Sequence, residues 1–213
     1  MKNKSFLIDL RRKRLIDLVE PSKELEESYK QKSKSNLESA HILLDNSKLE
    51  EAVSLTYFSM YNILLSLLFR TGIKSENHSA SIIILKEIYE IDNEDIVFAK
   101  QERRDKQYYV NFEITKDQVK DMFKVASRFN ATIIDAIAKL TNESIKNHRN
   151  KFETLLKGWE KEERKVFIVG DYGPEHYSIE SVHKTKEGAL KAWNKHRLEM
   201  LKEAKESLEG NKT

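Results

Sequence analysis

Along most of this chain, apolar residues recur at i, i+3, i+4 and i+7, the spacing that lines one face of an α-helix. After Pro21 and Ser22, the positions Leu25, Tyr29, Leu37, Ala40 and Leu44 predict a first helix that ends at Asp45-Asn46-Ser47. A second helix carries Leu49, Ala52, Val53, Tyr57, Met60, Leu64, Leu65 and Leu68. Ser47 and Glu50 form a capping box at its start, and Gly72 stops it. Ile82 to Leu85 is an apolar run that a buried strand could also show, but Lys86, Glu87, Ile88 and Tyr89 continue a helical pattern. A short core helix is therefore expected there. Asn93 is placed to cap a fourth helix bearing Ile96, Val97 and Ala99, followed by the charged run Gln101 to Gln107. Tyr109 to Ile114 reads as a link. Thr115 with Gln118 makes a second capping box, opening a helix that buries Val119, Met122, Phe123, Ala126, Phe129, Ile133, Ile137 and Leu140. The stripe continues through Ile145, His148, Phe152, Leu155 and Trp159, with a break expected at Asn142-Glu143-Ser144.

The pattern changes near Glu163. Val166-Phe167-Ile168-Val169 is strand-like, Gly170 to Pro174 signals a turn, and His176 to His183 alternates in part like a second strand. Thr185 then caps a last helix with Leu190, Trp193, Leu201 and Ala204. The predicted organisation is a basic amino-terminal arm (1–20), a helical domain (21–142), a helical extension or linker (143–162) and a small ββα module (163–213). The fold class is mainly α, an antiparallel helical bundle followed by that module.

Composition narrows the chemistry. The 213-residue chain has no cysteine, which excludes disulfides, thiolate metal sites and a cysteine nucleophile. His176 and His183 stand near Asp171 and Glu180, but their spacing is not that of a zinc site. Val169 to Gly173 lacks the third glycine and the strand-to-helix context of a phosphate loop and reads as a hairpin turn. No metal or cofactor is expected. The net charge of +3 does not make the whole chain a trap for nucleic acid, which leaves a local basic arm or groove as the candidate surface. The longest mostly apolar stretch, Ile63 to Phe69, is short for a membrane span, and the basic amino terminus lacks the apolar run of a signal peptide. A soluble, cytoplasmic protein with no membrane association is the expectation.

The polar and aromatic side chains on the helical stripes are the candidates for function, because burying them costs energy unless they have partners. Glu51-Ala52 precedes Tyr57-Phe58-Ser59-Met60-Tyr61, His78-Ser79 opens the next helix, and Arg103 lies four residues before Tyr108. Ala126-Ser127-Arg128-Phe129 follows on the fifth helix. Over about Leu15 to Leu140, this order resembles the HEPN domain family, small helical domains that travel with nucleotidyltransferases and include RNA-cutting toxins. The segment from Arg103 to Tyr108 is similar to the subgroup that reads Arg, four residues, Tyr. Gln107 departs from the Asp often found before that Tyr.

The resemblance implies specific roles. Members that cut RNA carry Arg, four to six residues, then His, and work without metal. The ribose 2′-OH attacks the adjacent phosphate, Arg steadies the developing charge and His transfers protons. Here Arg103 or Arg104 takes the phosphate role, with Lys106 as a further RNA- or nucleotide-binding cation. Tyr108 occupies the histidine's place, and His78 is the candidate to supply the missing imidazole. Tyrosine is a poor base at neutral pH, since its ordinary pKa is about 10. The resemblance also implies a homodimer, RNA or a nucleotide as ligand, a nucleotidyltransferase antitoxin as partner, and a toxin–antitoxin or defence setting. Three functions remain open: an RNA- or nucleotide-interacting protein, with metal-independent ribonuclease activity as one form of it; a non-catalytic dimeric module that binds a nucleotidyltransferase or other protein; or a scaffold with the last domain as its recognition element.

Overall fold

The computed structural model describes residues 2–108, 114–157, 167–172 and 177–183, together with parts of 187–198; the side chains of 105–108 and of the hairpin strands lie outside the description. The chain divides into two compact units, Met1–Gly158 and Trp159–Thr213.

The first unit is a helical bundle. In order it contains α1 (Lys2–Arg12), β1 (Ile16–Leu18), α2 (Lys23–Asp45), α3 (Leu49–Thr71), β2 (Ile73–Ser75), α4 (His78–Tyr89), α5 (Glu94–Tyr108), α6 (Lys116–Ala138) and α7 (Asn142–Lys157). Helix α3 is central. Its Ala52, Val53, Tyr57, Met60, Leu64, Leu67 and Leu68 are fully buried, and α2, α4, α5, α6 and α7 all pack against it. By length and composition α3 could cross a membrane, but 72% of its most apolar window is buried inside the bundle. The wide apolar stripe read from the sequence is thus consumed within one protomer. Tyr57 and Tyr61 are buried there.

The helix ends follow local chemistry. Ser22 caps α2 by accepting from the Leu25 N–H, and Asn77 caps α4 by accepting from the Ala80 N–H. The capping box at α6 forms as expected, with the Gln118 N–H donating to Thr115 Oγ1 at 3.3 Å and the Thr115 N–H donating to Gln118 Oε1 at 2.8 Å. The proposed box at Ser47 does not form. Ser47 adopts φ 58°, and the N–H groups of Ser47 and Lys48 turn back to the carbonyls of Leu44 and Leu43 at 3.0 and 2.8 Å. This double return closes α2 and leaves Lys48 as the uncapped start of α3. The break before α7 falls at Thr141, which exchanges hydrogen bonds with Ser144.

Two segments differ from the expectation. Residues 1–20 are not a solvated arm: α1 buries Leu7, Ile8 and Leu10, and β1 pairs antiparallel with β2 in the register Ile16↔Ser75, Asp17↔Lys74, Leu18↔Ile73. Arg11 forms an ion pair with Asp17, fastening the basic helix to the strand after it. Residues 143–157 are not a protruding extension either. Helix α7 packs on α1, α3 and α4 and buries Phe152 completely, which explains why its stripe resembles that of a core helix.

The second unit contains a hairpin, β3 (Phe167–Tyr172) and β4 (Tyr177–His183), paired antiparallel with a register shift between Val169 and Gly170. Gly170 therefore marks an irregularity inside a strand and not the turn itself, in keeping with glycine's use at bulges. The link at 109–113, the boundary near 160–163, the turn at 173–176, and Thr185, Trp193, Leu201 and Ala204 lie outside the described residues.

Candidate functional site

The helical register of α3 places Tyr57, Phe58 and Tyr61 within one turn of each other, at the point where α4 begins and α5 crosses. His78 is the first residue of α4, exposed to neither the core nor the solvent alone but half-buried between them. Its ring stacks on Tyr61 with centroids 3.8 Å apart and planes inclined by 10°. The Tyr57 hydroxyl lies 2.6 Å from His78 Nδ1. Ser81 holds the far side of the stack, since Tyr61 Oη and Ser81 Oγ are 3.4 Å apart and Ser81 donates to Ser75 Oγ at 2.9 Å.

Helix α5 brings the cations. Arg103 sets its guanidinium 4.7 Å from the Phe58 ring centroid and 5.5 Å from that of Tyr57, a cation–π contact with both. His78 reaches the same two rings, 5.8 Å from Tyr57 and 6.5 Å from Phe58. One helical turn before Arg103, Lys100 donates from Nζ to Ser79 Oγ at 2.5 Å. Lys100, Arg103 and Arg104 stand at i, i+3 and i+4, so all three share a side of α5.

These neighbours set the protonation states. Burial, with help from the positive charges of Arg103 and Lys100, holds His78 below the ordinary imidazole range. Lys100 is likewise lowered, first by burial and then by Arg104 and Arg103. Burial pushes the Tyr57 and Tyr61 phenols up, so both stay protonated at neutral pH. The protonated Tyr57 hydroxyl and His78 Nδ1 share this hydrogen bond; in the tautomer where Tyr57 donates, neutral His78 carries its proton on Nε2.

The structure therefore brings two of the sequence candidates, His78 and Arg103, onto a common aromatic pair. Arg104 stands exposed on the same side of α5. The backbone of α5 extends through Lys106 and Tyr108, whose side chains lie outside the described residues. Arg70, on α3, belongs elsewhere: it pairs with Glu26 of α2 at 2.9 Å. A groove of about 420 Å³ beside that pair, lined also by Lys23, Ile134 and Leu140, contains none of the clustered residues.

A family model for the HEPN domain matches residues 26–137, more than half of the chain. The chain belongs to the HEPN family. No curated protein matches it. HEPN domains are generally RNA-interacting or of toxin–antitoxin type, and often form dimers. In this HEPN chain the matched span contains α3, α4 and α5 and hence the whole Tyr57–His78–Arg103 cluster. Sequence reasoning missed Lys100 and Ser79 as members. The only signal for Lys100 was its spacing from Arg103 and Arg104, and its pairing with Ser79 depends on how α4 and α5 cross.

Proposed function

We propose that this HEPN protein binds single-stranded RNA across the start of α4 and the Lys100–Arg104 turn of α5, and cleaves it without a metal. The observation that carries this reading is the convergence of His78 and Arg103 on Tyr57 and Phe58. An imidazole and a guanidinium side by side are the pair needed to hold a phosphodiester and stabilise the charge that develops on its oxygens. The Arg103 and Arg104 guanidiniums on one side of α5 add the electrostatic attraction that draws a polyanion. In the reaction, a ribose 2′-OH loses its proton and its oxygen bonds to the adjacent phosphorus. The bond from phosphorus to the 5′-oxygen breaks, leaving a cyclic phosphate and a 5′-hydroxyl.

On this reading the protein acts as a homodimer in a toxin–antitoxin or defence setting, with a nucleotidyltransferase as its antitoxin. Family habit supports the dimer, and Val97 and Phe98 stand exposed on α5. The test is RNA binding as a function of salt for the wild type and for Arg103→Ala with Arg104→Ala. Each lost phosphate contact should reduce the salt slope by about 0.7. Stability should fall only modestly, the Arg103 cation–π contact contributing about 0.5–1 kcal/mol. An unchanged isotherm with a large loss of stability would make the arginines structural.

A second reading, a non-catalytic module that binds a nucleotidyltransferase through the same surface, is favoured by Tyr108 standing where the cutting members carry His. Absence of RNA cleavage at high protein concentration, with a stable complex to such a partner, would select it.

A further inference from the structure

Cleavage needs a group that accepts the 2′-OH proton, and the geometry around His78 makes it a poor one. Its Nδ1 is occupied by the Tyr57 hydroxyl at 2.6 Å, and the phenol is fully buried. In the tautomer where Tyr57 donates to Nδ1, the other nitrogen bears the hydrogen, so neutral His78 donates to a phosphate oxygen and has no lone pair to offer a ribose hydroxyl.

We infer that Lys100 is the proton acceptor of this site, that Ser79 positions its amine, and that His78 and Arg103 act as donors to the phosphate. The inference rests on the RNA-cleaving reading above. Its geometric basis is the 2.5 Å contact from Lys100 Nζ to Ser79 Oγ, which ties a flexible side chain of α5 to the first turn of α4 beside His78. Lys100 also lies one helical turn from Arg103, so an amine and a phosphate-holding guanidinium face the same ligand. The charged groups that act on Lys100 are Arg103 and Arg104 of its own helix, and the titratable group of the packed elements coupled to it is His78 of α4. Burial and the two arginines favour the neutral amine, the form a base requires.

The step balances within the site and solvent. The 2′-OH proton passes to Lys100 Nζ, turning amine to ammonium, while the 2′-oxygen forms its bond to phosphorus. The departing 5′-oxygen takes a proton from water, and Lys100 returns its proton to solvent before the next turnover.

The experiment uses the full chain, a labelled single-stranded oligoribonucleotide for cleavage, and its 2′-O-methyl analogue for binding. Lys100→Arg puts a permanent cation at this position and cannot act as a base. It should lower the cleavage rate by about 100-fold or more while leaving the affinity for the 2′-O-methyl strand within about threefold. The wild-type rate should level off once Lys100 is deprotonated, whereas the variant's residual rate should keep climbing with hydroxide. Ser79→Ala should reduce turnover by about tenfold with unchanged binding and melting temperature, and Ser79→Thr should restore it. A wild type that cleaves, with Lys100→Arg matching it in rate and pH profile, overturns this assignment alone. A wild type that binds the strand but never cleaves it overturns the cleaving reading, and this assignment with it.

Discussion

The hydroxyl of Tyr57 and the charge of Arg103 both act on one imidazole. The hydroxyl engages His78 Nδ1, and the guanidinium disfavours a second proton on the ring. Because burial is the larger cause, Arg103→Gln should raise the His78 pKa only part of the way to its ordinary value, which NMR titration of the imidazole resonances would show. The same group makes stability depend on pH. With the folded pKa depressed, the unfolded chain binds a proton at His78 before the folded chain does. Stability should therefore fall as the pH drops through about 6.5, the unfolded value, and the loss should be complete below the lower folded value. His148, lowered by burial and Lys151 and raised by Glu90, contributes in the same direction. Melting temperatures from pH 7 to pH 5 should decline less in His78→Gln than in the wild type; an equal decline would assign the effect to other groups. At this scale Tyr57, His78 and Arg103 were legible in the sequence, because a polar group inside an apolar helical pattern stands out. Lys100 was not, since a lysine that opens the polar run Gln101 to Gln107 carries no sign of which neighbour it will meet.

At the scale of elements, two left-handed residues end helices with opposite costs. Gly72 closes α3 at φ 74°, and a Cβ there would fall on Arg149 Nη1 and on the Val19 carbonyl oxygen. That guanidinium nitrogen donates to the carbonyls of Val19, Thr71 and Gly72 at 2.6, 3.3 and 2.9 Å, so it ties α7 to both strands' approaches. Gly72→Ala combines a left-handed backbone penalty of about 1–2 kcal/mol with loss of part of this clamp. Ser47 holds φ 58° without glycine's freedom, and Ser47→Gly should relieve strain and stabilise by about 0.5–1 kcal/mol. Chemical denaturation of both variants should move the midpoint in opposite directions; a shift of the same sign would contradict this account. Helices α2 to α6 were legible from periodicity, and the Thr115 box from its two side chains. The β1–β2 pair was not, because each strand has three residues and its partner lies more than fifty positions away. The Ser47 box failed because the chain must reverse within two residues there, and the αL turn that achieves this removes Ser47 from the capping position.

At the scale of the whole molecule, the carboxy-terminal end of the bundle is the part the sequence assigned least well, and truncation addresses it. The first unit extends to Gly158, and α7 supplies it with the fully buried Phe152 and with Arg149 at the Gly72 turn. The hairpin of the second unit has two strands, and a two-stranded hairpin is marginal by itself. A chain ending at Lys157 should therefore remain helical, melt cooperatively and keep the dimeric mass proposed for the full chain by light scattering. A chain ending at Thr141 removes Phe152 and the Arg149 clamp together. Emptying the Phe152 site alone corresponds to about 3–5 kcal/mol in a typical core, a large share of the stability of a domain this size. It should fall apart or lose its cooperative transition, with α1 and the β1–β2 pair the first to exchange their amide protons. If both truncations behaved alike and stayed folded, α7 would be an appendage, as residues 143–162 looked in the sequence. If both became molten, the bundle would depend on residues beyond 158, and the division of the chain would lie elsewhere.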